Sequence, residues 1–175
     1  MKATSTGIVS TIMVSLPQFA LAANDNSKGV VKNADEGEIY FVRENISITI
    51  KVSKKVDGID STSICTEKIQ PGGGIPVHKH LFNDEIFFIH KGSGSFILDE
   101  QEFKINEGSN AFVPKGVWHG LKNTGNEILF FSFGFSPAGF EDFFRQIGTP
   151  QGTAFKAKPQ DEVKLIANKF GMIYK

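Results

Sequence analysis

The segment from Gly72 to Gly92 carries two histidines and a glutamate at a spacing that suits metal binding. On a β-strand, residues i and i+2 project from the same face, so His78 and His80 can present two imidazoles to a single point. Glu85 can open the neighbouring strand after a short turn and return a carboxylate to the same point. Two nitrogens and one oxygen arranged in this way suit a divalent metal such as iron, manganese, nickel, copper or zinc.

A second segment, from Gly108 to Asn123, supplies a third imidazole at His119. Taken alone, a histidine in this setting is more often a satisfied core residue than a metal ligand. An isolated His-x-His pair is also a weak signal. The joint pattern of the two segments therefore carries the prediction of a metal site.

Both segments match the sequence motifs of the cupin family at every fixed position. The first motif, G-x5-H-x-H-x4-E-x6-G, is met by Gly72, His78, His80, Glu85 and Gly92. The second motif, G-x5-P-x-G-x2-H-x3-N, is met by Gly108, Pro114, Gly116, His119 and Asn123. The chain thus resembles compact single-domain bacterial cupins, and it is loosely similar to the quercetin dioxygenase-like members.

The resemblance implies that His78, His80, Glu85 and His119 are the ligands of one divalent metal ion. Three imidazoles and one carboxylate leave further coordination positions open for water, dioxygen or a substrate. Glu85 is the candidate catalytic residue, because a carboxylate that partly leaves the metal can act as a general base towards a bound hydroxyl. The alternative is that Glu85 only completes the coordination.

Apolar and polar residues alternate with a period of two along much of the chain, for example from Ile46 to Val52. Glycine and proline breaks separate many such short runs, which favours an all-β sandwich or barrel. Together with the resemblance, this pattern predicts a single cupin β-barrel of the jelly-roll type over residues 38–136.

The period becomes helical near the end of the chain, where we expect two short helices in an extension over residues 137–175. Ser136 is the predicted N-cap of the first helix, with Pro137 at its first helical position. The second helix is predicted from about Gln160 to Lys169. We expect both helices to pack on the barrel.

Strand alternation also predicts the surroundings of the metal site. It places Phe87, Ile89, Val117 and Leu121 on the inward face of the barrel. Residues of this kind predict a dry pocket for a flat apolar or phenolic ligand. By the same alternation His90 points outward, so it is not expected to be a metal ligand.

The N-terminus has the layout of a signal peptide over residues 1–22, with cleavage before Ala23. Its apolar run from Gly7 to Leu16 is too short to form a stable membrane anchor. We therefore expect an exported protein, periplasmic or secreted, in which a flexible segment at residues 23–37 precedes the barrel.

Composition narrows the function further. The 19 basic and 19 acidic residues cancel, which argues against a nucleic-acid partner and leaves a small-molecule ligand. The resemblance implies a homodimer and favours a metal-dependent oxidoreductase of the dioxygenase type that acts on a small aromatic or enolisable molecule. Two alternatives stay open: a non-catalytic exported protein that binds a small ligand or metal, and an isomerase or lyase.

Overall fold

Two antiparallel β-sheets enclose the hydrophobic core between their inner faces in the computed structural model, which describes residues 29–175. The first sheet contains β1 Glu38–Arg43, β2 Ile46–Val52, β3 Ile64–Ile69, β5 Asp84–Lys91, β8 Asn110–Val113, β10 Leu129–Ser136 and β11 Thr149–Pro150. The second contains β4 Gly74–His80, β6 Ser93–Leu98, β7 Gln101–Asn106, β9 His119–Lys122 and β12 Met172–Tyr174. The predicted signal peptide lies outside the described residues.

Three short helices accompany the strands: α1 Lys54–Asp57, α2 Glu141–Ile147 and α3 Gln160–Lys169. The strand-dominated architecture, with α2 and α3 near the C-terminus, confirms the predicted all-β barrel with two short C-terminal helices. Within residues 29–175, no helix has both the length and the apolar character needed to cross a membrane.

Strand β10 is an interior strand of the larger sheet, between β3 and β5. Every second residue of β10 points inward, so that Leu129, Phe131, Phe133 and Phe135 are all buried. Burial of a phenylalanine side chain stabilises a fold by about 2 kcal/mol. The alternation that is visible in the sequence therefore becomes a row of aromatic rings through the middle of the barrel.

The first C-terminal helix begins later than the sequence predicted. Ser136 is the last residue of β10, where it pairs with Asp84, and its hydroxyl donates a hydrogen bond to the carbonyl of Ser61 at 3.0 Å. Because this side chain is engaged at the sheet, it does not cap a helix. Helix α2 starts at Glu141, with Phe140 at the N-cap position and no side-chain cap. The predicted N-cap at Ser136 and first helical position at Pro137 are therefore wrong.

The last strand, β12, was not predicted. Helix α3 occupies the predicted range, but the residues after it return to the smaller sheet and pair with β4. In this register Tyr174 lies opposite His78. A run of three residues is too short to show a period of two, so the pairing with β4 decides this strand.

Residues 29–37 precede β1 and contact the barrel through two lysines. The Lys51 ammonium donates hydrogen bonds to the carbonyls of Asn33 and Ala34 at 2.9 and 2.8 Å. Lys32 forms an ion pair with Asp57 at 3.0 Å. This part of the predicted flexible segment therefore lies against β2 and α1.

A buried carboxylate ties α2 to the barrel. Glu141 is 0% exposed, and its two oxygens accept hydrogen bonds from the backbone N–H groups of Lys54 at 3.0 Å and Gly139 at 2.6 Å. Arg145, one turn further along α2, donates to Asp142 at 2.5 Å and to the Ser53 hydroxyl at 3.0 Å. These contacts connect α2 with α1 and the loop before it.

We expect Glu141→Ala to lower the free energy of unfolding by about 2 kcal/mol, because two charge-assisted hydrogen bonds are lost and their N–H donors stay partly buried. Urea denaturation measures the change. Glu162→Ala, which removes an exposed carboxylate from the first turn of α3, is the matched control and should change stability by less than about 0.5 kcal/mol. Equal unfolding midpoints for the two variants would show that Glu141 does not hold α2.

Candidate metal centre

The four residues predicted as metal ligands converge inside the barrel. Their ligand atoms lie within 4.8 Å of one another, and all four side chains are buried. The Nε2 atoms of His78 and His80 are 3.2 Å apart. The Glu85 Oε2 atom lies 2.8 Å from the Nε2 of His119 and 3.1 Å from the Nε2 of His80.

Strand pairing between the two motif segments sets this geometry. Strand β4 pairs with β9 so that His78 lies directly opposite His119. Glu85 belongs to β5 in the other sheet, so the carboxylate approaches the three imidazoles from across the barrel.

A motif glycine holds the loop before β9 against β4. The backbone N–H of Gly116 donates to the carbonyl of His80 at 2.6 Å. The φ angle of Gly116 is 85°, in the left-handed region that glycine adopts without the steric cost of a Cβ.

Asn123, the last position of the second motif, is structural in this arrangement. Its side-chain N–H₂ donates to the carbonyls of Ile69 and Glu127, each at 2.8 Å, and its Oδ1 accepts from the N–H of Gly125 at 3.0 Å. These bonds tie the loop after β9 to the end of β3.

Backbone carbonyls determine which nitrogen of two imidazoles carries the proton. The Nδ1 of His78 is 2.8 Å from the carbonyl oxygen of Pro76, and the Nδ1 of His119 is 3.1 Å from that of Val117. A carbonyl oxygen only accepts, so each Nδ1 must donate, and the Nε2 of the neutral ring then carries a lone pair.

In the tautomers that these carbonyls favour, the Nε2 lone pairs of His78 and His119 point into the cluster. The Nε2 of His78 faces that of His80, and the Nε2 of His119 faces the carboxylate oxygen of Glu85. Electron pairs at these distances repel unless a cation lies between them. The donor set therefore fits a divalent metal, and hydrogen bonds from Nδ1 to carbonyls are the usual support of metal-bound histidine.

His80 is held differently from the other two histidines. Its Nδ1 is buried and has no hydrogen-bond partner among the described residues. The ring instead packs edge-on against Phe135 and Phe140, with centroid distances of 5.2 and 4.3 Å. Aromatic packing from β10 and from the start of α2 thus orients this imidazole.

Burial and neighbouring groups place His78 and Glu85 in the protonation states that metal binding needs. Burial, aided by the nearby imidazole of His119, lowers the pKa of His78 to about 3. Burial works to raise the pKa of Glu85, but the adjacent imidazoles of His119 and His80 outweigh this and lower that pKa to about 2. At neutral pH His78 is therefore neutral and Glu85 is ionised, as metal ligands must be.

A cavity of about 740 Å³ opens beside the cluster, with His78, His80 and Glu85 in its wall. Six phenylalanines line it, two from β10, three from α2 and its N-cap and one from the loop before α3: Phe133, Phe135, Phe140, Phe143, Phe144 and Phe155. This is a deep aromatic pocket of a size that admits a small organic molecule.

The walls of this cavity differ from those that the sequence predicted. Phe87, Ile89 and Leu121 are buried on the inward face as expected, but they pack in the core and do not line the cavity. Val117 also packs against the core. Alternation identifies the face of a strand, whereas the position of a cavity along the barrel depends on which elements cover it.

Comparison with known proteins agrees with this geometry. Residues 65–133 match the family model described as the cupin domain. This protein contains a cupin domain. The matched range begins in β3, ends in β10 and includes all four residues of the cluster.

Curated relatives of this cupin domain have different functions. Quercetin 2,3-dioxygenase of Bacillus subtilis is 25% identical over 137 residues, which are 78% of this chain and 40% of that protein. Auxin-binding protein 1 of Arabidopsis thaliana is 29% identical over 59% of this chain and 57% of its own length. The oxalate-binding protein of Thermotoga maritima is 36% identical over 37% of this chain and 53% of its own length. The chain thus spans about half the length of these relatives.

Solved structures share the fold of the cupin domain. KdgF from a Halomonas species superimposes with a TM-score of 0.56 at 18% identity, over 66% of this chain and 99% of that chain. A predicted oxalate decarboxylase from Thermotoga maritima gives a TM-score of 0.54 at 24% identity, over 62% of this chain and 99% of that chain. At these identities the likeness shows the fold alone.

One buried residue of the cupin domain was missed from the sequence. Glu67 occupies an inward position of β3 opposite Phe131, is 8% exposed and lines the cavity. Burial, with a contribution from the negative charge of Glu85 and against the opposing charge of Arg43, raises the pKa of Glu67 to about 8. The available signal was a charged residue in the apolar phase of a strand, between Cys65 and Ile69.

We expect the metal-free Glu67→Gln variant to gain stability relative to the metal-free wild type as the pH rises from about 4.5 to about 8. In the unfolded chain Glu67 ionises near its ordinary pKa of 4.5, whereas in the folded state it stays protonated to about pH 8. Unfolding therefore releases a proton in this range, and wild-type stability falls by at most about 1.4 kcal/mol per pH unit relative to the variant.

Urea denaturation at steps of pH, with chelator present, measures this difference. Above about pH 8 the difference should become constant, because Glu67 is then ionised in both states. Glu102→Gln, which changes an exposed glutamate of β7, is the control and should show no such trend. A stability difference that does not change with pH would contradict the raised pKa of Glu67.

Proposed function

We propose that this protein is a metal-dependent oxidoreductase of the dioxygenase type that acts on a small aromatic or enolisable molecule. The observation that carries the proposal is the convergence of three imidazole nitrogens and one carboxylate oxygen at the wall of an aromatic cavity. The metal would lie where a substrate held between the phenylalanine rings can reach it.

His78, His80, Glu85 and His119 would hold one divalent ion of iron, manganese, nickel, copper or zinc. When bound, such a metal supplies open coordination positions at which a substrate oxygen is polarised and, for a redox-active metal, dioxygen is activated. The barrel contributes the fixed orientation of the imidazoles, since His78 and His119 are anchored through Nδ1 to backbone carbonyls.

The phenylalanine walls would position the substrate and exclude water. Phe135 and Phe140 contact the ring of His80 and also line the cavity, so a flat substrate packed against them lies beside the cluster. Removing water strengthens electrostatic interactions between the substrate and the charged groups of the site.

Glu85 is the proposed general base. Its carboxylate is ionised at neutral pH and lines the cavity, so it can accept the proton of a substrate hydroxyl group as that oxygen becomes an enolate or phenolate. His119 and His80 contact the Oε2 atom.

Quercetin 2,3-dioxygenase, whose match covers 78% of this chain, supports the oxidoreductase reading. The second candidate function is non-catalytic binding of a small ligand, and it is favoured by two relatives whose names describe binding proteins, for auxin and for oxalate. An isomerase or lyase that uses the metal as a Lewis acid is the third. All three use the same cavity and differ in whether dioxygen is consumed.

Export to the periplasm or the medium is part of the proposal and rests on the sequence of residues 1–22. Sequencing the N-terminus of the protein recovered from the cell envelope and the medium tests it, with Ala23 as the expected first residue. A homodimer is likewise proposed from the resemblance, and light scattering of the purified protein measures its mass.

Reconstituted wild-type protein should contain about one metal ion per chain by elemental mass spectrometry. Glu85→Ala and His119→Ala should weaken metal affinity by at least about ten-fold, because each removes a proposed ligand. The control is His90→Ala, since His90 is exposed and contacts the rings of Phe88 and Phe130 away from the cluster. Wild-type protein that binds none of the five candidate metals would refute the metal site.

Metal-loaded protein should consume dioxygen in the presence of a flavonol or a β-diketone, as measured with an oxygen electrode. Glu85→Gln should reduce the rate per bound metal by about 10²-fold or more, since proton transfer to a side chain of this kind contributes that much. His90→Gln should leave the rate unchanged. If no metal supports oxygen uptake, the binding-protein and isomerase or lyase candidates take precedence.

A further inference from the structure

The cavity has a polar group well away from the metal cluster. On β10, Phe135 lies opposite Glu85 while Phe131 lies opposite Glu67. These two phenylalanines are four residues apart, which corresponds to about 13 Å along a strand. Glu67 and the cluster therefore lie at different depths of one cavity, and a ligand that touches both must be elongated.

Glu67 has no partner within the described part of the protein. Its side chain forms no hydrogen bond and no ion pair with any residue between 29 and 175, although it is 92% buried. Its inward neighbours on β3, Cys65 and Ile69, are fully packed apolar residues. Burying an unpaired carboxyl group disfavours folding, whereas an apolar residue at this position would add to the core. Packing therefore does not account for a glutamate here.

The charges around the cavity favour an electron-rich ligand group near Glu67. Besides Glu67 and Glu85, the cavity wall contains five charged residues. Four are basic, Arg43, Lys158, Lys164 and Lys175, and one is acidic, Glu44. Of the four cations, Lys158 is paired with Glu162 at 2.7 Å, and the other three form no ion pair with a described residue. The charge of Arg43 acts on both Glu67 and Tyr174. An oxygen acceptor is the ligand group that suits these surroundings.

We propose that Glu67 is a substrate-binding residue that donates a hydrogen bond to a phenolic oxygen at one end of an elongated, flat aromatic ligand whose other end faces the four-residue cluster. The raised pKa of Glu67 supports this role, because the carboxyl group carries its proton at neutral pH. The phenylalanine walls hold the aromatic body between the two ends. The choice of an aromatic ligand rests on the proposed function.

Two matched probes test the inference: 3-hydroxyflavone and 3,4′-dihydroxyflavone. They share the hydroxy-ketone group that would face the cluster and differ by one phenolic hydroxyl at the far end. Binding to the metal-loaded full chain is measured without dioxygen by fluorescence titration, so that no turnover occurs. Wild-type protein should bind 3,4′-dihydroxyflavone with an affinity about ten-fold higher than that for 3-hydroxyflavone, because one added hydrogen bond contributes about that factor.

Glu67→Leu should abolish this preference and leave the affinity for 3-hydroxyflavone equal or higher, because an apolar side chain fills the same space without a donor. Glu67→Gln retains a donor and should keep part of the preference. Glu102→Leu on the outer strand β7 is the control and should behave as wild type. Thermal unfolding and metal content, measured alongside, establish that each variant is folded and loaded.

An equal preference in wild type and Glu67→Leu would overturn the proposal, as would a wild type that binds neither flavone. These outcomes are separate from a failure of the proposed function. A preference that depends on Glu67 in a protein that consumes no dioxygen would refute the oxidoreductase and support the binding site at Glu67. If the protein consumes dioxygen but the preference between the two flavones is the same in wild type and Glu67→Leu, the oxidoreductase is supported and the binding role of Glu67 is refuted.

Discussion

Four electron-rich atoms, three imidazole Nε2 atoms and one carboxylate Oε2, face one another at buried positions between the two sheets. Nitrogen lone pairs and a carboxylate this close to one another repel, and a divalent cation held by the four residues would relieve that repulsion. The strands and backbone carbonyls of the barrel hold the four side chains in this arrangement. The β4–β9 pairing sets His78 opposite His119, β5 brings Glu85 from the other sheet, and backbone carbonyls determine which nitrogen of His78 and His119 faces inward.

The C-terminal region completes the site from outside the barrel motifs. Helix α2 and its N-cap contribute Phe140, Phe143 and Phe144 to the cavity, and Phe140 also packs on the imidazole of His80. The buried contacts of Glu141 and Arg145 hold α2 in this position. The position of the helix therefore affects the orientation of His80, one of the four predicted ligands, since His80 has no hydrogen bond at Nδ1 among the described residues.

The two buried glutamates of the cavity, Glu67 and Glu85, have pKa values shifted in opposite directions by their different neighbours. Both lose solvation, which by itself raises the pKa of a carboxyl group. For Glu85 the contacts with His119 and His80 outweigh burial and keep it ionised, whereas Glu67 lies among apolar neighbours, feels the charge of Glu85 and stays protonated near neutral pH. The cavity thus combines an anionic group suited to a divalent metal with a neutral group suited to donating a hydrogen bond.

The sequence by itself determined the barrel and the four clustered residues. The i,i+2 projection of His78 and His80 is a local property of a strand. Glu85 and His119 were added through the match of both segments to the cupin motifs, so the resemblance predicted that the four side chains converge from the two sheets. The start of α2 was predicted wrongly, because the Ser136 hydroxyl bonds to Ser61, a partner distant in sequence.

Only the tertiary structure decided which rings line the cavity and that Glu67 lies in its wall without a partner among residues 29–175. Alternation gives the face of a strand but not its depth in the barrel. Depth depends on long-range register and on how the C-terminal segment folds back onto the sheets.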